Sequence, residues 1–324
     1  MSKPRIRVIN GTCLDVAEEL RDWVECQGFE FVANREIDPF NLEEIIPGSE
    51  GFDGIIGPFY TPVIPRYFDS LSDLKVLSLA SSGYDGVVDP SAATKAGVVV
   101  VSSPAPEGAE VVADMTWGLL LAIVRRIPQQ YELAQRGQYE RKIPPTVYGK
   151  TLGILGLGNI GRAVARRAAG FEMKVIACDT QPKMDFVREQ RIELVSFEEL
   201  LSRSDFLSIH LRLNPDTRGI IGEEELRLMK PTAYLINTAR DELVKEGALA
   251  DALEQKVIAG AATDDAPRVE IERLLHNPNH ICTPHLGNRA IEGVRAVSRF
   301  AIQNAIDVLQ GRRPDHVLNP EVYD

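Results

Sequence analysis

The 324-residue chain has only four cysteines, Cys13, Cys26, Cys178 and Cys282, with no C-x-x-C pair among them. Cysteines so far apart supply neither a disulfide framework nor a paired redox or zinc motif. Cys178 and Cys282 fall inside apolar runs and are expected to be core thiols in a reducing compartment. No apolar stretch reaches the roughly 20 residues that span a bilayer. The first residues run straight into the strand-like Ile6-Arg7-Val8-Ile9. That start carries no signal peptide, so the expectation is a soluble cytoplasmic protein. Positive charge is also scarce, with 36 Lys and Arg against 47 Asp and Glu, a formal net charge of −11. Such a balance argues against binding a nucleic-acid backbone. Histidines are few as well. His276, His280 and His285 look like a metal cluster, but Pro278 breaks the i,i+4 helical spacing between the first two. His276 and His280 are expected in loops, with no metal bound.

What is present is a long α/β chain. Its length suggests about two domains, and 44% hydrophobic residues suffice for substantial cores. Mid-chain, Gly156-Leu157-Gly158-Asn159-Ile160-Gly161 follows the apolar run Leu152-Gly153-Ile154-Leu155 and precedes an alanine-rich helical stretch, Arg162 to Gly170. Val175-Ile176-Ala177-Cys178 then reads as a second strand ending at Asp179, 21 residues past Gly158. A lone G-x-G-x-x-G is weak evidence, but strand, turn, helix, strand and acid in this order form a dinucleotide-binding βαβ fingerprint. The first glycine permits the turn, the second admits the pyrophosphate, and the third lets helix pack on strand. The helix N-terminus offers unpaired N–H groups to the phosphates. Asp179 is expected to accept hydrogen bonds from the adenosine ribose hydroxyls and to repel a 2′-phosphate, which favours NAD over NADP.

Before this fingerprint, Arg7–Ile9, Phe29–Val32, Gly54–Ile56, Val76–Leu79 and Val98–Val101 read as strands, with a helical pattern from Leu14 to Cys26. They predict a small flavodoxin-like α/β layer. The longest helical pattern runs from Glu107 to Arg126, with Arg125-Arg126 in its last turn and Pro128 ending it. The polar and aromatic stretch from Gln129 to Tyr148 is expected to be a loop or arm that joins this helix in a homodimer interface. After Asp179, Phe206–His210, Ala233–Asn237, Val257–Ala261 and Ile281-Cys282 continue as strands, with helices at Glu223–Met229 and Glu246–Gln255. Continuous apolar strands between helices imply a parallel sheet covered on both faces. Residues 289–310 form a last helix that returns to the first domain. The predicted fold is therefore α/β: a doubly wound parallel-sheet NAD-binding domain (103–288, with a dimerisation helix and arm near 107–148) inserted into a smaller flavodoxin-like substrate domain (1–102 and 289–324), with a cleft between them.

In an open parallel sheet the ligand lies outside the carboxyl ends of the strands. Three polar groups follow strands directly: Asn237-Thr238-Ala239-Arg240, Thr263-Asp264-Asp265 and Thr283-Pro284-His285. An arginine, an acid and a histidine on one edge suit hydride transfer to a carbonyl carbon. Arg240 would bind a carboxylate and polarise the carbonyl. His285 would exchange the proton, held protonated for reduction by a carboxylate partner. The bland readings are that Arg240 is a surface residue and His210 a satisfied core histidine.

Taken together, the chain resembles the D-isomer-specific 2-hydroxyacid dehydrogenases over most of residues 50–315. The resemblance rests on Gly153 to Gly161, Ser204-Asp205-Phe206 leading to His210-Leu211, Pro215-Asp216-Thr217-Arg218-Gly219, Met229-Lys230, Ile236 to Arg240, and Thr283-Pro284-His285-Leu286-Gly287. It implies a substrate domain built from both chain ends around a central NAD domain, assembled as a dimer. It makes Arg240 the substrate-binding arginine, His285 the acid/base and Asp264 a contact to the nicotinamide carboxamide. Gly156, Gly158, Asn159, Ile160, Gly161, Asp179, His210, Leu211, Thr217, Thr238, Ala239, Arg240, His285 and Gly287 would line the cofactor. Ser82 and Gly83 match the loop whose amides hold the substrate carboxylate.

Two positions depart from the family pattern. Asp241 follows Arg240 where the family has glycine, and the position of the histidine-pairing glutamate holds Val269. Glu270 is the nearest candidate for that partner, with Asp265 or Glu272 as substitutes. The aromatic pair Phe59-Tyr60 hints at a substrate larger than glyoxylate. Arg66, Arg141 or Lys142 are candidates to meet a phosphate or phosphonate tail, with a surface role as the plainer reading. Phosphite-oxidising relatives carry lysine where Ser82 stands, which argues against phosphite. The expected partner is a 2-oxo or 2-hydroxy acid. The alternative is an NAD-sensing binding protein akin to the corepressor-type C-terminal binding proteins.

Overall fold

Alternating apolar strands and helices resolve, in the computed structural model, into two units. The first comprises residues 1–108 and 289–324, the second residues 109–288. The structure describes residues 3–9, 12–33, 48–57, 63, 65–81, 88–139, 141, 143–264 and 271–324.

In the first unit, strands β1 (Arg5–Val8), β2 (Glu30–Ala33), β3 (Gly54–Gly57), β4 (Val76–Leu79) and β5 (Val99–Val101) alternate with helices α1 (Thr12–Glu25), α2 (Pro65–Ser70) and α3 (Pro90–Lys95). All pairings are parallel, in the order β2-β1-β3-β4-β5. This 2-1-3-4-5 order is the flavodoxin-like one. The two-residue period of a strand divides its side chains between two cores. Ile6, Val8, Ile56, Val76 and Val101 meet α1 and the last helix, α12 (Ile291–Leu309), through Val24, Ala301, Ile302 and Ile306. Ile55, Leu77 and Val100 face the opposite way, onto Tyr67 and Phe68 of α2 and Ala93 of α3.

An edge strand leaves N–H and C=O groups unpaired, and proteins cover such edges. Here the C-terminal segment covers β5. Val317 bridges Val101 in antiparallel sense, and Leu318 donates its N–H to Val100 O at 2.8 Å. The fully buried Asn319 side chain completes the cover. Its Oδ1 accepts the Val100 N–H at 2.8 Å, and its Nδ2 donates to Val98 O at 2.8 Å and to Thr94 Oγ1 at 3.2 Å.

The second unit holds β6 (Thr151–Leu155), β7 (Lys174–Cys178), β8 (Glu193–Leu194), β9 (Phe206–Ile209), β10 (Tyr234–Asn237), β11 (Gly260–Thr263) and β12 (His280–Cys282). They lie parallel in the order β12-β11-β10-β9-β6-β7-β8. Counted within the unit this is 3-2-1-4-5-6-7, the doubly wound order with one added strand, and its direction of growth reverses between β6 and β9. One face packs Leu152, Ile154, Phe206 and Ile236 against α4 (Pro106–Val124) and α6 (Asn159–Ala168). The other packs Leu207, Ile209, Leu235 and Ala261 against α8 (Phe197–Arg203), α9 (Glu223–Leu228) and α10 (Ala248–Glu254). Helices α4 and α6 are tied by the Trp117 indole, which donates to Val164 O at 3.2 Å, and by Arg167, paired with Glu110 at 2.7 Å and Asp114 at 2.8 Å. Helices α7 (Met184–Glu189) and α11 (Ile271–Leu275) complete the unit.

Some expectations need correction. Helix α4 ends at Val124, and Arg126 takes a left-handed conformation with φ 54°. A new helix, α5 (Ile127–Gln135), starts there inside the expected arm; Pro128 sits in its first turn, where its missing N–H costs nothing. β11 begins at Gly260 rather than Val257. Ile258 is buried in the core but belongs to a turn, so its apolarity reflects packing rather than a ladder. His280 is no loop residue; it lies buried in β12. Among the described residues, no helix is long and apolar enough to cross a membrane.

Removing the Asn319 carboxamide strands the Val100 N–H. Asn319→Ala is expected to lower stability by about 2 kcal/mol, read as a lower urea midpoint in equilibrium unfolding.

Candidate active site

The strand-order reversal places the loop after β6 beside the loop after β9. Gly156 opens the first loop with φ +94°, and a Cβ there would sit 2.8 Å from the His210 carbonyl oxygen of the second. A Cβ on Gly161 would sit 2.1 Å from Gly156 O. Both glycines are thus fixed by close backbone approach within the protein. Gly158 differs: an added Cβ would meet nothing within 4 Å. Its carbonyl accepts the Arg162 N–H, while no side chain caps α6. Open space before an uncapped helix N-terminus fits a pyrophosphate, whose nearest neighbours would include Asn159 and Ile160.

Asp179 follows β7. Its carboxylate accepts the Leu157 N–H at 2.5 Å and the Gln181 N–H at 2.7 Å. These bonds brace the glycine loop and leave carboxylate lone pairs for ribose hydroxyls. The residues present therefore fit NAD. His210 follows β9, with its N–H on Leu155 O at 2.8 Å and its Nε2 2.8 Å from Ser208 Oγ. Burial pulls its pKa down to about 3, so the imidazole is neutral at physiological pH. Leu211 packs against the same core as Leu155 and Ile209. Thr217 lies in the following turn, where its hydroxyl donates to Arg212 O at 2.7 Å.

Farther along the same edge, β10, β11 and β12 end side by side, each followed by one of the three polar groups. Thr238 is buried, with its Oγ1 2.8 Å from Thr116 Oγ1 of α4. Thr116 donates to Val112 O, so the Thr238 hydroxyl is the donor in that pair. Ala239 and Arg240 are half-buried, and the Arg240 Nη1 donates to Ala239 O at 2.7 Å. Asp241, where the family has glycine, accepts the Glu242 N–H at 2.9 Å at the start of the 3-10 turn Asp241–Leu243.

Asp264 is buried and accepts three hydrogen bonds: from Thr283 Oγ1 at 2.5 Å, the Leu286 N–H at 2.8 Å and the Gly287 N–H at 2.5 Å. Its carboxylate thus holds the loop that carries His285. His285 itself is exposed and left-handed at φ 54°, with its N–H on Thr283 O at 3.0 Å. Left-handed backbone is strained for a residue with a Cβ, and the flanking bonds to Asp264 maintain it.

Both ring nitrogens of His280 face protein oxygens. Its Nδ1 lies 3.2 Å from Leu274 O and its Nε2 3.2 Å from Thr263 Oγ1; with burial pulling its pKa to about 4, it is a neutral structural histidine. Among the described residues, no group of three or more His, Cys, Asp or Glu could hold a metal ion. Ser82, Gly83, Phe59, Tyr60, Lys142, Asp265, Val269 and Glu270 lie outside the described residues. Glu272, Arg66 and Arg141 are exposed. Motif reading passed over Asn237, Thr116 and Thr283 as hydrogen-bonding residues. An Asx turn was the available signal for Asn237.

The glycines separate stability from binding. Gly158→Ala should keep its urea midpoint while NADH affinity, read by nucleotide fluorescence, falls at least about tenfold. Gly161→Ala should lower stability itself, by about 2 kcal/mol, read as a lower urea midpoint.

Comparison with known proteins bears on this geometry. The family model described as "D-isomer specific 2-hydroxyacid dehydrogenase, NAD binding domain" matches residues 117–287. A glyoxylate reductase of Korarchaeum cryptofilum is 33% identical over 99% of this chain and 97% of its own length. A D-3-phosphoglycerate dehydrogenase of Methanocaldococcus jannaschii is 36% identical over 86% of this chain, which spans 53% of that protein. The NAD-complexed D-isomer specific 2-hydroxyacid dehydrogenase of Lactobacillus delbrueckii ssp. bulgaricus superimposes with a TM-score of 0.80 at 26% identity, covering 97% of this chain and 100% of the other. With NAD as its cofactor, the chain belongs to the D-isomer-specific 2-hydroxyacid dehydrogenase family.

Proposed function

We propose that the protein transfers hydride between NAD and C2 of a small 2-oxo or 2-hydroxy acid, with Arg240 binding the substrate carboxylate and His285 as acid/base. The observation that carries this reading is the edge itself. Arg240, Asp264 and His285 follow three adjacent parallel strands on the same edge as the glycine loop. When bound, NAD gives or takes the hydride at nicotinamide C4. The Arg240 guanidinium pairs with the carboxylate and draws electron density from the neighbouring carbonyl oxygen. In reduction the His285 imidazolium gives its proton to that oxygen; in oxidation neutral His285 takes it back. Glu270 is assigned as the acid that holds His285 protonated, and the amides of Ser82 and Gly83 as further carboxylate donors. Thr238, Ala239, Thr217, His210, Leu211 and Gly287 are assigned to the walls of the cofactor site.

A short substrate of the glyoxylate class is favoured by the names of several relatives; a phosphorylated acid enters through the phosphoglycerate dehydrogenase relative. The corepressor-type alternative is set aside, because relatives named as enzymes span nearly the whole chain. Mixing the protein with NADH and a panel holding glyoxylate, pyruvate, hydroxypyruvate and 3-phosphohydroxypyruvate should show loss of the nicotinamide absorbance with at least one acid. Arg240→Ala and His285→Ala should each lower kcat/KM by at least about a hundredfold. Undiminished turnover in either would sink its assignment.

We also propose a homodimer that covers the aromatic segment around α5. Tyr131, Tyr139, Ile143 and Tyr148 are all more than half exposed there, Ile143 at 92%. Exposed apolar groups gathered on one segment favour burial by a second copy. Sedimentation equilibrium should give twice the 35.8 kDa chain mass, and Ile143→Asp with Tyr139→Asp should shift it toward the single chain.

A further inference from the structure

Arg240 can serve a planar carboxylate only if its backbone is held still, because a guanidinium binds a carboxylate in a narrow bidentate geometry. Three bonds around Asn237 bear on this. Its Nδ2 donates to Arg240 O at 2.6 Å, and its Oδ1 accepts the Ala239 N–H at 3.0 Å. Its own carbonyl accepts the Asp264 N–H at 2.9 Å. Asn237 is buried, at 2% exposure, as the last residue of β10, and it pairs in register with Thr263 of β11. Both ends of one rigid carboxamide thus grip the tripeptide that presents Arg240, while its backbone ties that grip to the residue anchoring the His285 loop.

We infer that Asn237 is a positioning residue: its carboxamide closes the Thr238–Arg240 turn and so sets where Arg240 presents its guanidinium to the substrate carboxylate. The inference rests on Arg240 binding that carboxylate. It asks more of Asn237 than stabilising a turn. An Asn side chain at a strand end can bond its own backbone two residues on in any Asx turn. Here it also reaches the carbonyl of the third residue, the arginine itself. An aspartate in its place keeps the acceptor for Ala239 but turns a second acceptor toward Arg240 O, opening the turn at the arginine.

The test compares Asn237→Asp and Asn237→Ala with the unaltered protein in three measurements. The first is KM and kcat for the best 2-oxo acid at saturating NADH. The second is the affinity of the NADH-loaded protein for oxamate, an unreactive 2-oxo acid isostere, beside the affinity for NADH alone. The third is hydrogen–deuterium exchange of peptides covering 238–243. For both variants KM and the oxamate dissociation constant should rise by about tenfold to a hundredfold, while the NADH dissociation constant stays within about twofold. Exchange at 238–243 should quicken, with the β6–β7 peptides unchanged. A lower kcat with unchanged KM and unchanged oxamate affinity would mean only fewer folded molecules, and would overturn the inference. So would exchange that does not quicken. If the unaltered protein reduces no 2-oxo acid yet binds oxamate, only the functional reading fails and the exchange and oxamate measurements decide the role of Asn237; if it binds no oxamate either, the inference is overturned with that reading.

Discussion

A parallel sheet brings the carboxyl end of every strand to one edge, and the candidate site of the second unit follows from that constraint. Seven parallel strands in the second unit end on a common edge, so residues as distant in sequence as Leu155 and Ile209 become neighbours through the sheet itself. The reversal between β6 and β9 then opens the edge at one place only. There the Gly156 turn lies against the His210 carbonyl so closely that no Cβ fits between them. That contact pairs the glycine motif with the backbone of the residue that follows β9, His210.

The same edge shows a division of labour between charge and support. The groups assigned to chemistry, Arg240 and His285, are half-buried or exposed. The groups that hold them, Asn237, Thr238, Asp264 and Thr116, are buried and bonded largely to backbone. Burying a carboxylate such as Asp264 is costly unless its lone pairs find donors, and one loop supplies three of them. The stabilisation is local, so it fixes a loop shape, including the left-handed His285, rather than adding broadly to stability. His210 and His280 follow the opposite rule. Each is kept neutral by burial and makes short-range hydrogen bonds, which suits structural imidazoles rather than an acid/base group.

Much of this was legible in the residues. Unbroken apolar strands such as Val99–Val101 and Leu152–Leu155 announce themselves, because burial on both faces leaves no polar alternation. The polar residues after them then point to the ligand edge. The candidate residues were legible for the same reason, as the first polar groups past each strand. What escaped notice lacked such a signal. β8 is two exposed residues, and the short α7 and α8 repeat their apolar pattern too few times to register. α5 was hidden by Pro128, which reads as a helix breaker unless the left-handed turn at Arg126 is known. His280 sits after Pro278-Asn279, a loop signal in sequence, yet its imidazole fills a buried gap between Thr263 and Leu274. The supports were the hardest to foresee. Asn237 and Asp264 act through backbone atoms whose partners only the folded loops bring near.

The two departures from the family pattern are best weighed against this division. If the edge were built from charge pairs, an acid in place of the glycine after Arg240 would disturb it directly. It is built instead from backbone hydrogen bonds, and Asp241 joins them: its carboxylate accepts the Glu242 N–H and starts the turn that leads on to Leu243, buried in the core. A glycine there would leave the turn without that acceptor. The substitution therefore alters how the chain leaves the arginine, while the Asn237 clamp that determines how it arrives is untouched. A histidine needs its partner carboxylate at a point in space rather than at a sequence interval, so the proposal that Glu270 serves His285 does not require the family's spacing.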